Sequence, residues 1–224
     1  MRIRTIIVIV AFLLAAGWFF FPVWEPETNY LLFTLRLALP AILLALGGIG
    51  LIPLLMTLGF FFCAIGDAMG VLGSFEGQMA GFALAHICFI SYFVKCIWKP
   101  HPVVLVLTTL LCLLPLALAA MKVIPQITVL PIQIGCSVYA LLLTGTVWTS
   151  IVRAFSTKKG MKALPLVAAL GALLFLVSDF ILSWNKFTAR IPHASLYIMT
   201  TYYAALLLLF IGTLLPSKQY GINR

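Results

Sequence analysis

The sequence predicts an all-α membrane protein, a single membrane domain over residues 1–224 built as a bundle of eight transmembrane helices with both termini cytoplasmic. Three observations predict it. Of 224 residues, 64% are hydrophobic and only 8% are charged, where a soluble domain carries about a quarter, and the mean hydropathy is +1.19. The apolar residues fall into long runs, each near the ~20 residues that span a bilayer as a helix. The basic residues are divided unevenly between alternate connections. With 14 Lys+Arg and 5 Asp+Glu the chain cannot cover a water-facing surface, which excludes a soluble enzyme, a nucleic-acid-binding domain and a disordered chain. The net charge of +9 reflects Lys and Arg in cytoplasmic loops, as membrane proteins place them.

Pro, Gly and charged clusters punctuate the chain into eight segments. The first, 5–22, follows Met1-Arg2-Ile3-Arg4 and runs through Trp18-Phe19-Phe20-Phe21 without a small-x-small cleavage site, so it is read as a retained span rather than a signal peptide. The second, 30–48, begins after the acidic stretch of Glu25 and Glu27, and Gly47-Gly48-Ile49-Gly50 separates it from the third, 51–72. The fourth, 77–97, lies between Glu76 and Lys99-Pro100, and the fifth, 102–120, ends before Lys122. The sixth, 127–151, stops at Arg153; the seventh, 163–184, starts after Lys158, Lys159 and Lys162; the eighth, 194–215, follows Arg190-Ile191-Pro192. Backbone amides in hydrocarbon need internal partners, and runs this long and uniformly apolar read as helices rather than barrel strands.

Loop charge tests the count. With the N-terminus inside, Arg2, Arg4, Lys95, Lys99, Arg153, Lys158, Lys159, Lys162, Lys218 and Arg224 fall on the inner side, against Lys122, Lys186 and Arg190 outside. An odd number of spans would break this alternation. A basic start on a compact chain suits a bacterial cytoplasmic (inner) membrane. The five cysteines lie in or beside apolar runs without C-x-x-C pairing, and read as packing residues rather than a disulfide framework or zinc site.

Few ionisable residues remain at depth: Arg36, Asp67, His86 and Asp179, on the second, third, fourth and seventh segments. Such groups are costly in a bilayer, so each is a functional candidate, the alternative being an ion pair that only holds helices together. At 1.5 Å per residue the two aspartates lie roughly 7 Å below the outer edge, Arg36 about 9 Å and His86 about 13 Å. All four occupy the outer half of the bundle. Tyr139, Tyr202 and Tyr203 join this layer, and a buried phenol generally seeks a partner. Asp67 and Asp179 are also set in similar surroundings, Phe62-Cys63-Ala64-Ile65-Gly66-Asp67 and Phe175-Leu176-Val177-Ser178-Asp179. Four spans separate them, and a parallel duplication of four helices plus four would explain the echo.

Ala64-Ile65-Gly66-Asp67, the later Gly81-Phe82-Ala83-Leu84-Ala85-His86, and Gly171 to Asp179 with Thr201-Tyr202-Tyr203 resemble the YhhN-like family of integral membrane proteins, which includes the lysoplasmalogenases. The resemblance covers roughly residues 30 to 215. It implies an eight-helix fold, a lysophospholipid substrate and hydrolysis of the vinyl ether bond of lysoplasmalogens to a fatty aldehyde and a glycerophospho-base. The chain departs from the family pattern in two places. Leu39, not Lys, precedes Pro40, with Arg36 one turn earlier, and Leu206 stands where a Gln commonly follows the last tyrosines.

Vinyl ether hydrolysis needs a proton on the β-carbon and water on the resulting oxocarbenium ion, a cation like that of glycoside hydrolysis, where two carboxylates serve. The expected catalytic residues are Asp67, Asp179 and His86: one aspartate as acid, the other as base and cation stabiliser, and the imidazole as relay or orienting group. Arg36, Tyr139, Tyr202 and Tyr203 are expected to bind substrate, Arg36 either by meeting the lipid phosphate or by neutralising an aspartate. A zinc site built from Asp67, His86, Asp179 and His193 lacks any H-E-x-x-H-type spacing, so neither metal nor cofactor is expected. The alternative function is a small proton-coupled transporter or lipid-handling protein using the same aspartates as a proton relay.

Overall fold

The computed structural model describes residues 3–21, 30–156 and 163–215. Among the described residues, eight helices are long and apolar enough to cross a membrane. They are α1 (Ile3–Phe20), α2 (Tyr30–Gly48), α3 (Leu54–Val71), α4 (Phe75–Lys95), α5 (Pro102–Leu118), α6 (Leu130–Ser156), α7 (Ala163–Phe187) and α8 (Ala194–Gly212). Among the described residues there is no strand. Of the inner-side charges counted above, Arg2, Lys158, Lys159, Lys162, Lys218 and Arg224 lie outside the described residues, as do Glu25 and Glu27.

Local chemistry sets the element ends. Gly50 at φ +76° turns the chain between α2 and α3, a left-handed conformation that glycine adopts without a Cβ penalty. Pro53 precedes α3, where a missing N–H costs nothing. Ser74 caps α4 by accepting from the Gly77 N–H at 3.1 Å. Pro115 cannot donate to the carbonyl one turn back, and shortly after it α5 passes into a π turn, Ala119–Val123, and a 3-10 turn, Ile124–Gln126. α6 runs five residues beyond the predicted end. Arg153 is therefore not a loop charge: it is buried in the helix, its guanidinium 5.1 Å from the Tyr92 ring centroid and 5.5 Å from that of Phe93, a face-on contact that favours a cation.

Seven helices close into a ring in which α1, α2, α3, α4, α6, α7 and α8 each pack on the next, and α8 returns to α1 and α2. α5 stands outside, chiefly against α6, and buries only Thr108 and Cys112. The ring is filled by aromatic and aliphatic side chains, with Phe12, Phe60, Phe89, Phe93, Phe175 and Phe210 fully buried. All five cysteines are free thiols, Cys63 and Cys112 buried among these core residues.

Candidate functional site

Close backbone approach puts Asp67 at its place. A Cβ on Gly81 of α4 would lie 2.7 Å from the backbone N of Gly66 and 2.8 Å from its Cα, so α3 and α4 touch where only glycine fits. The next residue, Asp67, is 3% exposed, and the Tyr202 hydroxyl of α8 donates to its Oδ2 at 2.8 Å. On the other side of the ring Asp179 of α7 is 5% exposed and receives the hydroxyl of Tyr139 from α6. Ser178, its neighbour, donates to the carbonyl of Ile198 at 3.0 Å, tying α7 to α8. Each carboxylate is thus held by a phenol from another helix, and among the described residues neither carboxylate forms an ion pair.

Tyr202 also belongs to a trio of packed rings. Phe82, Phe175 and Tyr202 meet edge to face with centroids 5.3–5.9 Å apart, within the favourable range for such contacts. His86 is wholly buried, its ring 4.8 Å from that of Phe175. Its Nε2 lies 3.3 Å from the Tyr139 hydroxyl and its Nδ1 2.9 Å from Oγ1 of Thr146. Thr146 in turn reaches the carbonyl of Leu142 at 3.1 Å.

Asp179, Tyr139, His86 and Thr146 therefore form one chain of contacts, and each hydroxyl in it carries a single proton. Two arrangements satisfy it. With Asp179 ionised, Tyr139 donates to the carboxylate, neutral His86 donates from Nε2 to Tyr139, and Thr146 donates to Nδ1. With Asp179 protonated, every bond reverses: the carboxyl donates to Tyr139, Tyr139 to Nε2, Nδ1 to Thr146, and Thr146 to the Leu142 carbonyl. A change of His86 tautomer lets the same geometry accommodate either state of Asp179.

Both aspartates open on one chamber, which Gln78, Ser178, Asn185, Ser195 and Tyr202 also line. Of the residues expected from the sequence, the structure joins Asp67 with Tyr202, and Asp179 with Tyr139 and His86. It directs two others elsewhere. Arg36 donates through Nη2 to the carbonyls of Trp18, Phe19 and Phe21, at 3.0, 3.1 and 2.7 Å, and so closes the C-terminal end of α1. The Tyr203 hydroxyl donates to the carbonyl of Leu37 at 3.1 Å. His193 is an exposed residue in front of α8, and among the described residues no three His, Cys, Asp or Glu side chains are placed to hold a metal ion. Sequence reasoning missed Thr146 and the amides of Gln78 and Asn185, because it searched for ionisable groups at depth.

Comparison with known proteins places the chain in a family. The chain is 34% identical to lysoplasmalogenase TMEM86B of Homo sapiens over 152 residues, 67% of this chain and 59% of that protein. It is 34% identical to lysoplasmalogenase TMEM86B of Sus scrofa over 147 residues, 65% of this chain and 57% of the relative. Lysoplasmalogenase TMEM86A of Bos taurus is 29% identical over 173 residues, covering 74% and 69%. The chain thus spans less than two thirds of the length of these two TMEM86B relatives. No solved structure matches it. The family model described as YhhN matches residues 29–213, a stretch that contains both aspartates, His86 and all three tyrosines. The chain belongs to the YhhN family.

Proposed function

We propose that this chain is a membrane hydrolase that cleaves the vinyl ether bond of lysoplasmalogen, releasing a fatty aldehyde and a glycerophospho-base. One observation carries the reading: two buried carboxylates, each gripped by a phenol, face a common chamber inside a membrane-spanning ring. The relatives named lysoplasmalogenases support the substrate class.

In this scheme protonated Asp179 gives its proton to the β-carbon of the enol ether. The C=C electron pair forms the new C–H bond, and the positive charge is shared by the α-carbon and the ether oxygen. Asp67, ionised, stabilises that cation and accepts a proton from the water that adds to the α-carbon. In the collapse of the resulting hemiacetal, Asp67 returns its proton to the glycerol oxygen, which leaves as an alcohol. Ionised Asp179 takes the hydroxyl proton as the C=O forms, so the aldehyde is released and both carboxyl groups regain their starting states. Water supplies every atom gained, and no oxidant or metal enters the balance. Tyr139 and His86 hold Asp179 in either protonation state, and Tyr202 orients Asp67. Arg36 and Tyr203, bonded to backbone carbonyls, contribute to the framework in this reading and not to the chemistry.

The test is purified protein in detergent with a lysoplasmalogen, followed for aldehyde. A hydrolase turns over without a sealed compartment; absence of aldehyde there, with proton-coupled uptake in vesicles, would instead establish the transporter alternative. Two further expectations belong to the same proposal: both chain ends inside a bacterial cytoplasmic membrane, and descent from a four-plus-four duplication. The second is supported by the Asp67 and Asp179 echo and by the closely packed α3–α4 and α7–α8 hairpins.

A further inference from the structure

The chamber of the two aspartates shares a wall with a second one. Gln78, Phe82, Asp179 and Leu182 line both. The first carries polar groups from Asp67, Ser178, Asn185 and Ser195. The second, enclosed by α4, α6, α7 and the end of α5 with its π turn, is mostly hydrocarbon, as at Met79, Leu116, Val123, Leu143 and Leu176. Leu116 and Thr144 then also line a third recess between α5 and α6 that reaches Thr109 and Trp148. Side chains of this recess, Leu113 and Leu141, are exposed on the outer face of the helices, which in a bilayer meets acyl chains. From Tyr139 to Trp148 the track follows α6 for nine residues, about 14 Å at 1.5 Å per residue.

We infer that this track seats the alkenyl chain of the substrate, loaded sideways through the α5–α6 seam, while glycerol and head group occupy the chamber of Asp67. The inference rests on the lysoplasmalogenase reading and extends it to the orientation of the substrate. The scissile group of a lysoplasmalogen is the junction between its polar and apolar parts, and Asp179 stands in the wall between a polar and an apolar chamber. The β-carbon lies on the chain side of the ether oxygen and the α-carbon next to that oxygen. A chain in the apolar track thus presents the β-carbon to Asp179, and the α-carbon to water on the side of Asp67. Two features of α5 suit a seam that parts. It buries little of its surface, and Pro115 and the π turn interrupt its hydrogen-bond ladder beside the track. Such turns recur at functional sites.

Two measurements on the full chain test this. The first compares kcat/KM for octenyl and hexadecenyl lysoplasmalogens. Leu116→Trp, at the passage between the second and third recesses, lowers the long-to-short ratio by about tenfold or more, the scale of discrimination an apolar pocket provides. Leu116→Ala does not lower it. An unchanged ratio in an active Leu116→Trp protein overturns the inference. The second measurement needs no turnover. A saturated alkyl-ether lysophospholipid with a diazirine at the chain end labels residues 109–116 and 141–148, and excess unlabelled lipid suppresses the labelling. Competable label confined to other helices overturns the seat even if Leu116→Trp fails to fold. Competable label in the track without aldehyde formation supports the seat and overturns only the hydrolase reading.

Discussion

Tyr139 has one proton and two neighbours that want it, Asp179 and His86, and this makes it the most informative residue to alter. Tyr139→Phe keeps the ring packing but breaks the chain between carboxyl and imidazole. Hydrogen bonds to charged groups are worth about 1.5–3 kcal/mol, so kcat/KM for aldehyde release should fall about tenfold or more while the protein still elutes as a folded species. Asp67→Asn and Asp179→Asn should each remove about 100-fold or more, the contribution of a positioned acid or base; full activity in either variant would sink the two-carboxylate scheme. Thr146→Val should cost less than Tyr139→Phe, since it removes one neutral bond to His86 at the far end of the chain. The carboxylates, His86 and their phenols were legible because an ionisable or phenolic group in a bilayer span demands a reason. Thr146 was not. Threonines in these helices routinely bond the carbonyl one turn back, as Thr144, Thr149, Thr201 and Thr213 do, and nothing in the sequence marks the one that also meets an imidazole.

At the scale of elements, the spans could be read because Pro, Gly and charge cannot be hidden in hydrocarbon. Their arrangement could not. Lipid and bundle interior are equally apolar, so the sequence does not say that α5 stands outside a ring of seven. Arg36 shows the same limit: among the described residues its hydrogen-bond partners are the backbone carbonyls at the C-terminal end of α1 and not a carboxylate. Three hydrogen bonds to carbonyls at its C-terminal end, where a helix leaves such groups without intrahelical partners, give that helix a closure. Arg36→Gln should lower stability by about 2 kcal/mol, read as a lower thermal unfolding midpoint in detergent; an unshifted midpoint removes the anchoring role. Gly81 makes the complementary case for close packing. Gly81→Ala drives a methyl into the backbone of Gly66, and such overpacking costs about 1–3 kcal/mol. Because Asp67 is the next residue, the same variant should lose activity at temperatures where it remains folded.

For the whole molecule, the question with the largest consequence is which end of the ring faces the cytoplasm. Contacts gather three connections at one end. The Lys186 ammonium lies 4.4 Å from the ring centroid of Phe75, at the start of α4, and Thr188 donates to the carbonyl of Lys122 in the π turn at 3.3 Å. That end carries Lys122, Lys186 and Arg190. Removing Arg153 from the loop count, since it is buried in α6, leaves nine basic residues assigned by sequence to the opposite end against these three. The excess of Lys and Arg in cytoplasmic connections sets orientation, so the three-charge end should face outward, with the carboxylate chamber in the outer half of the bilayer. A C-terminal fluorescent-protein fusion should therefore fluoresce and a C-terminal alkaline phosphatase fusion stay inactive, while phosphatase inserted after Gly73 should be active. The reverse pattern would invert the molecule. It would also move the chamber to the inner half, so that the α5–α6 seam drew its substrate from the cytoplasmic leaflet. Orientation and substrate source are thus one prediction: with the ends inside, lysoplasmalogen presented in the outer leaflet of sealed, correctly oriented vesicles should be hydrolysed first.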